Sequence, residues 1–315
     1  MIVTVTCNPA LDKTANIERL CPGGLNRLSQ VVADAGGKGV NVAKLIAALG
    51  GQAVATGFLG GGVGVEIGRA LERLGVAADF VPVAGTTRTN LKLVDADGGL
   101  TELNEPGPDV GPNEWAALEA KLTGWARPGN VIVLAGSLPG GSDSGTYARL
   151  VRLAAAGGAE VYVDADGQAL AQAVAAGPDL IKPNGFELGQ LVAAPGKLGL
   201  AEVAVWARRL VAGGVKRVVV SLGGDGAVFV DADQACHAPA LPVPVRSTVG
   251  AGDSLLAGLA WGLGQGHDFR QAAAWGMAAA AGAVTTVGTK APDRGLIDRL
   301  LPQVEMRDLS LRPES

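Results

Sequence analysis

A glycine-rich turn that ends in a carboxylate stands between an extended segment and an apolar helix. The turn, 247–254, is Ser-Thr-Val-Gly-Ala-Gly-Asp-Ser; the prolines of 241–245 exclude a helix before it, and the apolar run 255–261 predicts one after it. The free N–H groups of a helix's first turn form an anion site, and glycine lets the backbone approach a ligand. The carboxylate of Asp253 would repel a phosphate bound there. A reason for an acid at this place is that it accepts a proton from an attacking hydroxyl during phosphoryl transfer. A helix cap explains Asp253 equally well.

Three further segments carry residue types suited to phosphate, sugar or metal chemistry. They are Gly-Gly-Lys-Gly-Val-Asn-Val-Ala at 36–43, Lys-Pro-Asn-Gly-Phe-Glu-Leu at 182–188 and Ser-Leu-Gly-Gly-Asp-Gly at 221–226. The first is not a P-loop, because glycine follows the lysine where a P-loop has Ser or Thr. In the second, Asn184 and Glu187 share a helix face, which suits a metal site and a capping box alike. The third can form a phosphate nest or an ordinary hairpin turn.

Together these four segments resemble the PfkB (ribokinase-like) carbohydrate kinases, in order and over nearly the whole chain. Four other motifs are similar to the sugar-phosphate kinases of that family, to 1-phosphofructokinases first and tagatose-6-phosphate kinases next. These motifs are Asn-Pro-Ala-Leu-Asp (8–12), Thr-Arg-Thr-Asn (87–90), Asn-Glu-Pro-Gly-Pro (104–108) and Gly-Ser-Leu-Pro (136–139). The resemblance implies ATP-dependent phosphorylation of a sugar phosphate, with O6 of fructose 1-phosphate as the expected acceptor. Tagatose 6-phosphate and fructose 6-phosphate are the alternatives; a non-catalytic sugar-phosphate or nucleotide sensor is the rival that an intact acid at 253 argues against.

The resemblance also implies a role for each candidate site residue. Asp253 would be the general base, and the N–H groups of Gly250, Ala251 and Gly252 would stabilise charge on the transferring oxygens. The residues expected at the sugar phosphate are Asp12, Arg27, Gly37, Lys38, Asn41, Arg88 and Ser137. The residues expected at ATP are Lys182, Asn184, Ser221, Gly223, Gly226 and Gly252, with Glu187 organising Mg²⁺. A requirement for K⁺ stays open.

Some of these residues have a simpler alternative. Arg88 and Arg27 suit the phosphate that the substrate already carries, because guanidinium binds phosphate bidentately, but Arg27 also suits a solvated charge. Asp12 can equally be a solvated turn residue. At 164–167, Asp-Ala-Asp-Gly replaces a turn that often contains Ser in relatives, so Asp166 puts a contact there in doubt.

The elements that must position these residues alternate in type. Short β-branched strands between helices predict a buried parallel sheet, whose carboxyl ends are where ligands gather. The predicted strands are 2–6, 131–134, 161–164, 180–182 and 218–221, and the predicted helices are 41–49, 113–122, 146–155, 168–176 and 203–211. We therefore expect one ribokinase-like three-layer α/β/α domain over 1–315 with a mostly parallel central sheet.

Two polar regions, about 13–34 and 86–106, predict a second, smaller β-sheet. In the latter, apolar residues flank Asp-Ala-Asp-Gly-Gly at 95–99, which is a hairpin signal. The resemblance makes this sheet a lid over the sugar and a possible homodimer surface.

Composition excludes several other classes of protein. A net charge of -4 without a basic run gives no footprint for nucleic acid, and two histidines make a Ser-His-Asp triad improbable. The longest apolar candidate for a membrane span, 272–284, is shorter than the ~20 residues required. The glycines in 57–68 do not have the G-x-G-x-x-G spacing of a dinucleotide-binding turn. Three dispersed cysteines and a first strand in place of a signal peptide predict a cytoplasmic protein.

The tail from Met306, including Leu309, Leu311, Arg312 and Pro313, is expected to be irregular and to pack on the surface.

Overall fold

Strands and helices alternate along residues 1–309, the part of the chain that this computed structural model describes. Leu311, Arg312 and Pro313 of the tail lie outside it. In chain order the elements are β1 (Ile2–Thr6), β2 (Ala10–Asn16), β3 (Ser29–Gly36), α1 (Lys38–Ala48), β4 (Ala53–Gly60), α2 (Gly61–Arg73), β5 (Ala77–Ala78), β6 (Val81–Val83), β7 (Arg88–Val94), β8 (Leu100–Asn104), α3 (Pro112–Trp125), β9 (Val131–Ala135), α4 (Thr146–Ala156), β10 (Glu160–Asp164), α5 (Gly167–Ala175), β11 (Leu180–Ile181), α6 (Gly185–Leu191), α7 (Leu200–Ala212), β12 (Arg217–Ser221), β13 (Ala227–Val230), β14 (Ala235–Ala238), α8 (Ala251–Gly264), α9 (Phe269–Val284), α10 (Arg294–Leu300) and β15 (Arg307–Asp308).

The main sheet has the order β15-β14-β13-β12-β11-β10-β9-β1-β4-β5, with β6 also pairing with β4. It is parallel from β12 to β5, and its other edge, β12 to β15, is antiparallel. The predicted strands and helices are present, with bounds that differ from the predictions by a few residues. Residues 307–308 add a short edge strand, so the start of the tail is not irregular as expected.

Period-two side chains explain why helices cover both faces of this sheet. In β9, Val131 and Val133 pack in the layer of α1, α8 and α9, whereas Ile132 and Leu134 pack in the layer of α3, α4 and α7. A strand whose two faces are both buried must be apolar at every position. The three-layer α/β/α prediction is therefore confirmed.

The small sheet has the order β3-β2-β7-β8 and draws its strands from both predicted polar regions. Its strands extend beyond the predicted limits, since β2 begins at Ala10 and β3 ends at Gly36. The antiparallel pair β7–β8 is the predicted hairpin. Asp12 lies inside β2 and is 5% exposed, so the interpretation of Asp12 as a solvated turn residue is wrong.

The long apolar run 272–284 lies in α9, most of whose side chains are buried in the core. Within residues 1–309, no helix combines the length and the apolar character needed to cross a membrane. Cys7, Cys21 and Cys236 are free thiols.

Candidate active site

The start of α8 combines a left-handed glycine with a buried acid. Gly250 has φ +78° at the N-cap, a conformation that other residues adopt only with strain, and no side chain caps the helix. Asp253 follows as the third helical residue and is 8% exposed. Its Oδ2 accepts a hydrogen bond of 2.8 Å from Nδ2 of Asn41 on α1. The helix-cap explanation of Asp253 is therefore wrong.

Burial raises the pKa of Asp253, and the nearby charge of Asp164 adds to that rise. The Asn41 hydrogen bond and the ammonium groups of Lys182 and Lys38 oppose it. A carboxylate with a raised pKa is a stronger proton acceptor, so this environment suits a general base.

Asp164, at the end of β10, is a site residue that the sequence interpretation missed. Its Oδ1 lies 2.8 Å from Nζ of Lys38, and its Oδ2 lies 2.9 Å from Nζ of Lys182. Burial opposes ionisation of Asp164, but the two ammonium groups hold its pKa below the usual value. The ammonium group of Lys182 also lies at the start of α8, because a Cβ added to Gly252 would be 3.2 Å from Lys182 Nζ. The signal was present, since Asp164 ends an apolar strand at the ligand-binding edge of the sheet. Asp166, which put this turn in doubt, is exposed.

Asn184 and Glu187 form a complete capping box at the start of α6. Asn184 Oδ1 accepts from the Glu187 backbone N–H at 2.8 Å, and Glu187 Oε2 accepts from the Asn184 backbone N–H at 2.8 Å. The other carboxylate oxygen, Oε1, lies 4.0 Å from Lys38 Nζ, beside the anion site. The capping box thus occupies one oxygen of Glu187 and leaves the second available to a metal ion or its water.

A cavity of about 490 Å³ joins these groups. Its charged end contains Lys38, Asp164, Lys182, Glu187 and Asp253. Its apolar end contains Val243, Val245, Met277, Ala280 and Val284. Asn184, Ser221, Gly223, Gly226, Ala251 and Gly252 also line it, so the predicted ATP residues are together. A charged end and an apolar end match a nucleotide's phosphates and base.

Magnesium fits this cavity through few protein ligands. No cluster of three His, Cys, Asp or Glu side chains suited to a metal occurs within the described residues. Mg²⁺ keeps most of its waters and is commonly held by one or two carboxylates and substrate phosphates. Glu187 Oε1 at the anion site provides such a carboxylate.

The second group of predicted residues lies where the small sheet meets the main domain. Asp12 accepts hydrogen bonds of 3.0 Å from Asn90 Nδ2 and 3.0 Å from Lys92 Nζ, both on β7. Arg88 Nη2 donates to the Asn8 carbonyl at 3.0 Å and to Ser137 Oγ at 3.3 Å. Burial lowers the pKa of Arg88, against the charge of Asp12. Asp12, Arg88 and Ser137 are therefore neighbours, as predicted.

Three predicted sugar residues have a different setting. Lys38 pairs with Asp164 and lines the cavity of the predicted ATP residues. Arg27 is exposed in the loop between β2 and β3. It does not share the hydrogen bonds to Asn8 and Ser137 that hold Arg88 in place. Gly37 has φ +103°, and a Cβ there would lie 2.8 Å from Thr6 Cγ2. The fold itself requires glycine at this position, so its presence is no sign of a sugar contact.

The comparisons with known proteins agree with this geometry. The model of the pfkB family carbohydrate kinases matches residues 5–294. The chain belongs to the pfkB family. A 1-phosphofructokinase of Rhodobacter capsulatus is 38% identical over 310 residues, covering 98% of each chain. A tagatose-6-phosphate kinase of Staphylococcus epidermidis is 33% identical over 266 residues, covering 84% of this chain and 85% of the relative.

Among solved pfkB-type structures, phosphofructokinase-2 from Escherichia coli in complex with potassium superposes with a TM-score of 0.91. It is 32% identical and covers 96% of this chain and 98% of that chain. The sequence-based assignment to the pfkB family and its fold is thus confirmed. Lys92 and Lys44, which are buried near Asp12, were not singled out from the sequence, because an isolated lysine carries no pattern.

Proposed function

We propose that this protein is an ATP-dependent kinase that phosphorylates O6 of fructose 1-phosphate. The observation that carries the proposal is the position of Asp253, which lines the cavity of the predicted ATP residues and also bonds Asn41 on α1, the helix that follows β3 of the small sheet. A base in that place meets a nucleotide's terminal phosphate from one side and a sugar hydroxyl from the other. The name and full-length coverage of the R. capsulatus relative support fructose 1-phosphate as the acceptor.

In this mechanism, Asp253 accepts the proton of the attacking hydroxyl while the phosphoryl group transfers. The N–H groups of Gly250, Ala251 and Gly252, at the positive end of the α8 dipole, stabilise negative charge on the transferring oxygens. Lys38 and Lys182 add positive charge at the same end of the cavity. Glu187 would hold Mg²⁺ through Oε1, directly or through a water, and the ion would supply positive charge against the phosphates.

Asp12, Asn41 and Arg88 orient the sugar. A carboxylate and an amide hydrogen-bond sugar hydroxyls, and a guanidinium matches the phosphate that the substrate already carries. Arg88 exchanges its bond to Ser137 for that phosphate. Arg27, on an exposed loop, reaches the phosphate only if the small sheet closes over the sugar as a lid.

The test is ADP release, coupled to an optical signal, on fructose 1-phosphate, tagatose 6-phosphate and fructose 6-phosphate. The proposal expects the highest kcat/KM on fructose 1-phosphate. A preference for tagatose 6-phosphate, which the S. epidermidis relative favours, would change the acceptor but retain the mechanism. Binding of ATP and sugar phosphate without any turnover would instead support a sensor. Parallel assays in potassium and sodium salts determine whether K⁺ is required.

We also infer that the chain forms a homodimer through the outer face of the small sheet. Adjacent rows of a sheet face opposite sides, so the row Asp34–Asp12–Asn90–Asn104 faces the site and the row Ala33–Lys13–Leu91–Leu103 faces away. Leu103 is 55% exposed and Ala33 is exposed, whereas Lys13 and Leu91 between them are half-buried, so the two ends of this row offer uncovered apolar surface in a single chain. Leu103→Glu should convert a dimer to a monomer in sedimentation equilibrium, whereas Leu74→Glu, 54% exposed on the main domain, should not.

A cytoplasmic location belongs to the same proposal. Cys7 and Cys236 are buried free thiols and Cys21 is an exposed one, as expected in a reducing compartment.

A further inference from the structure

Lys44 is a buried lysine whose ammonium group bonds only to neutral oxygens in its immediate contacts. It lies on α1, three residues after Asn41, and is 6% exposed. Its Nζ donates to the Ala35 carbonyl at 2.6 Å and to Thr289 Oγ1 at 3.3 Å. Neither contact is a salt bridge, so no direct partner among residues 1–309 neutralises the charge.

The two acceptors belong to the segments that support the two acids of the site. Ala35 precedes Gly36, whose Cα lies so close to Asp12 that a Cβ would be 2.5 Å from Asp12 Oδ2. Thr289 packs against the start of α8, since a Cβ on Gly250 would lie 3.8 Å from Thr289 Cγ2. One ammonium group therefore bridges the segment next to Asp12 and the segment next to the helix that carries Asp253.

Keeping this charge buried costs stability. Burial lowers the pKa of Lys44 to about 8, although the carboxylates of Asp34, Asp12 and Asp253 raise it and the Lys92 ammonium lowers it further. A buried charge without a directly paired opposite charge is usually less favourable than an apolar side chain of the same volume. A methionine of similar length would fill the same space without that cost.

We infer that Lys44 is a positioning residue, which sets the separation between Asp12 and Asp253 by holding Ala35 and Thr289 together. Through that separation, Lys44 sets the position of the sugar hydroxyl relative to the base that accepts its proton. This inference rests on the proposed kinase function. Lys44 touches neither substrate, and it acts through the backbone of β3 and the segment that follows α9.

The experiment compares Lys44→Met and Lys44→Arg with the wild type, and uses Lys216→Met as a control because the Lys216 side chain is 70% exposed and precedes the amino end of β12. For Lys44→Met we expect kcat to fall about tenfold to a hundredfold, the scale of a misplaced reacting group, while KM for ATP stays within about twofold. The Tm should stay equal or rise, which a merely structural residue would not show. Hydrogen exchange should become faster in residues 33–37 and 286–291. Lys216→Met, which removes a salt bridge to Asp179 far from the site, should leave kcat, KM for ATP and the exchange of both segments unchanged.

Lys44→Arg keeps the charge and both hydrogen bonds, so it should restore kcat at pH 7. Wild-type kcat should decline as the pH rises past about 8, because Lys44 then loses its proton, whereas the arginine variant should show no such decline. Wild-type kcat and unchanged exchange in Lys44→Met would overturn the inference, and so would an identical alkaline decline in wild type and Lys44→Arg.

The exchange measurement separates this inference from the proposed function. If the wild type phosphorylates no sugar phosphate, the kinase proposal fails, and unchanged exchange at 33–37 and 286–291 in Lys44→Met would then overturn the bridging role as well. If Lys44→Met does not fold, the comparison of Lys44→Arg with the wild type, in pH profile and exchange, still decides the inference.

Discussion

Replacing Asp253 by asparagine should lower activity and raise stability at the same time. Asparagine has the same shape, and its carbonyl oxygen can still accept the 2.8 Å hydrogen bond from Asn41, so the helix start is retained. Loss of a general base costs about 10²- to 10⁴-fold in kcat, which corresponds to about 3–5 kcal/mol of transition-state stabilisation. KM for ATP and for the sugar phosphate should change little, because the variant leaves Lys38, Lys182 and Arg88 in place.

The stability change follows from the direction of the pKa shift. Burial raises the pKa of Asp253 above its ordinary value of 3.8, so the folded state binds its proton more tightly than the unfolded state does. Ionised Asp253 therefore destabilises the fold increasingly as the pH rises from about 4 through the folded-state pKa. Asparagine removes that cost, so the Tm of Asp253→Asn should exceed that of the wild type at pH 7.5, and the difference should shrink as the pH is lowered through the folded-state pKa.

Asp164→Asn is the matched control, because the structure predicts a change in Tm of the opposite sign. Asp164 has a lowered pKa and contacts two ammonium groups, so its negative charge stabilises the fold. This stabilisation is present above the pKa of Asp164 in the unfolded state, and it is lost as the pH falls through its pKa in the folded state. Removing one charge of such a buried network costs about 3–5 kcal/mol, which should lower the Tm. Coupled ADP release gives kcat and KM, and thermal unfolding at pH 7.5 and at lower pH gives the Tm of each variant. Wild-type kcat in Asp253→Asn would refute the assignment of the base, and a lowered Tm at pH 7.5 would refute the electrostatic argument.

Three other predictions concern separate parts of the site. Arg88→Ala should raise KM for the sugar phosphate at least about tenfold and leave KM for ATP unchanged, since a charge-assisted contact contributes about 1.5–3 kcal/mol; equal effects on both substrates would contradict the assignment. Glu187→Gln keeps both hydrogen bonds of the capping box, so titration with Mg²⁺ should show weaker activation at an unchanged Tm, and normal activation would exclude Glu187 from the metal site. Gly250→Ala, at φ +78°, should cost about 1–2 kcal/mol in chemical denaturation and lower kcat, whereas Gly264→Ala, which meets open space, should do neither.

Local patterns accounted for the elements and for the turns between them. β-branched strands such as Val131–Ala135 are apolar at every position because both faces are covered, and that pattern is legible without coordinates. Glycines at the start of α8 predicted a tight turn into the helix, because a left-handed N-cap is a property of neighbouring residues. The resemblance to the pfkB kinases then grouped the motifs into a site.

Local spacing left more than one explanation open for several individual residues. The sequence allowed Asp12 to be a turn residue, but the pairing of β2 with β7 places Lys92 and Asn90 beside it. Asn184 and Glu187 suited two explanations, and the structure contains the capping box while leaving one oxygen of Glu187 at the anion site. Gly37 suggested a bare backbone for a sugar, but its missing Cβ accommodates Thr6.

The order of strands, helices and glycine turns was determined by the sequence alone, because hydrophobic period and backbone preference act between near neighbours. The chemistry of the acids was decided only by the tertiary structure. Asn41 and Asp253 are 212 residues apart in sequence, and Lys38 and Asp164 are 126 apart. Burial and charge pairing across such separations raise the pKa of Asp253 and lower that of Asp164, although the two residues have the same side chain.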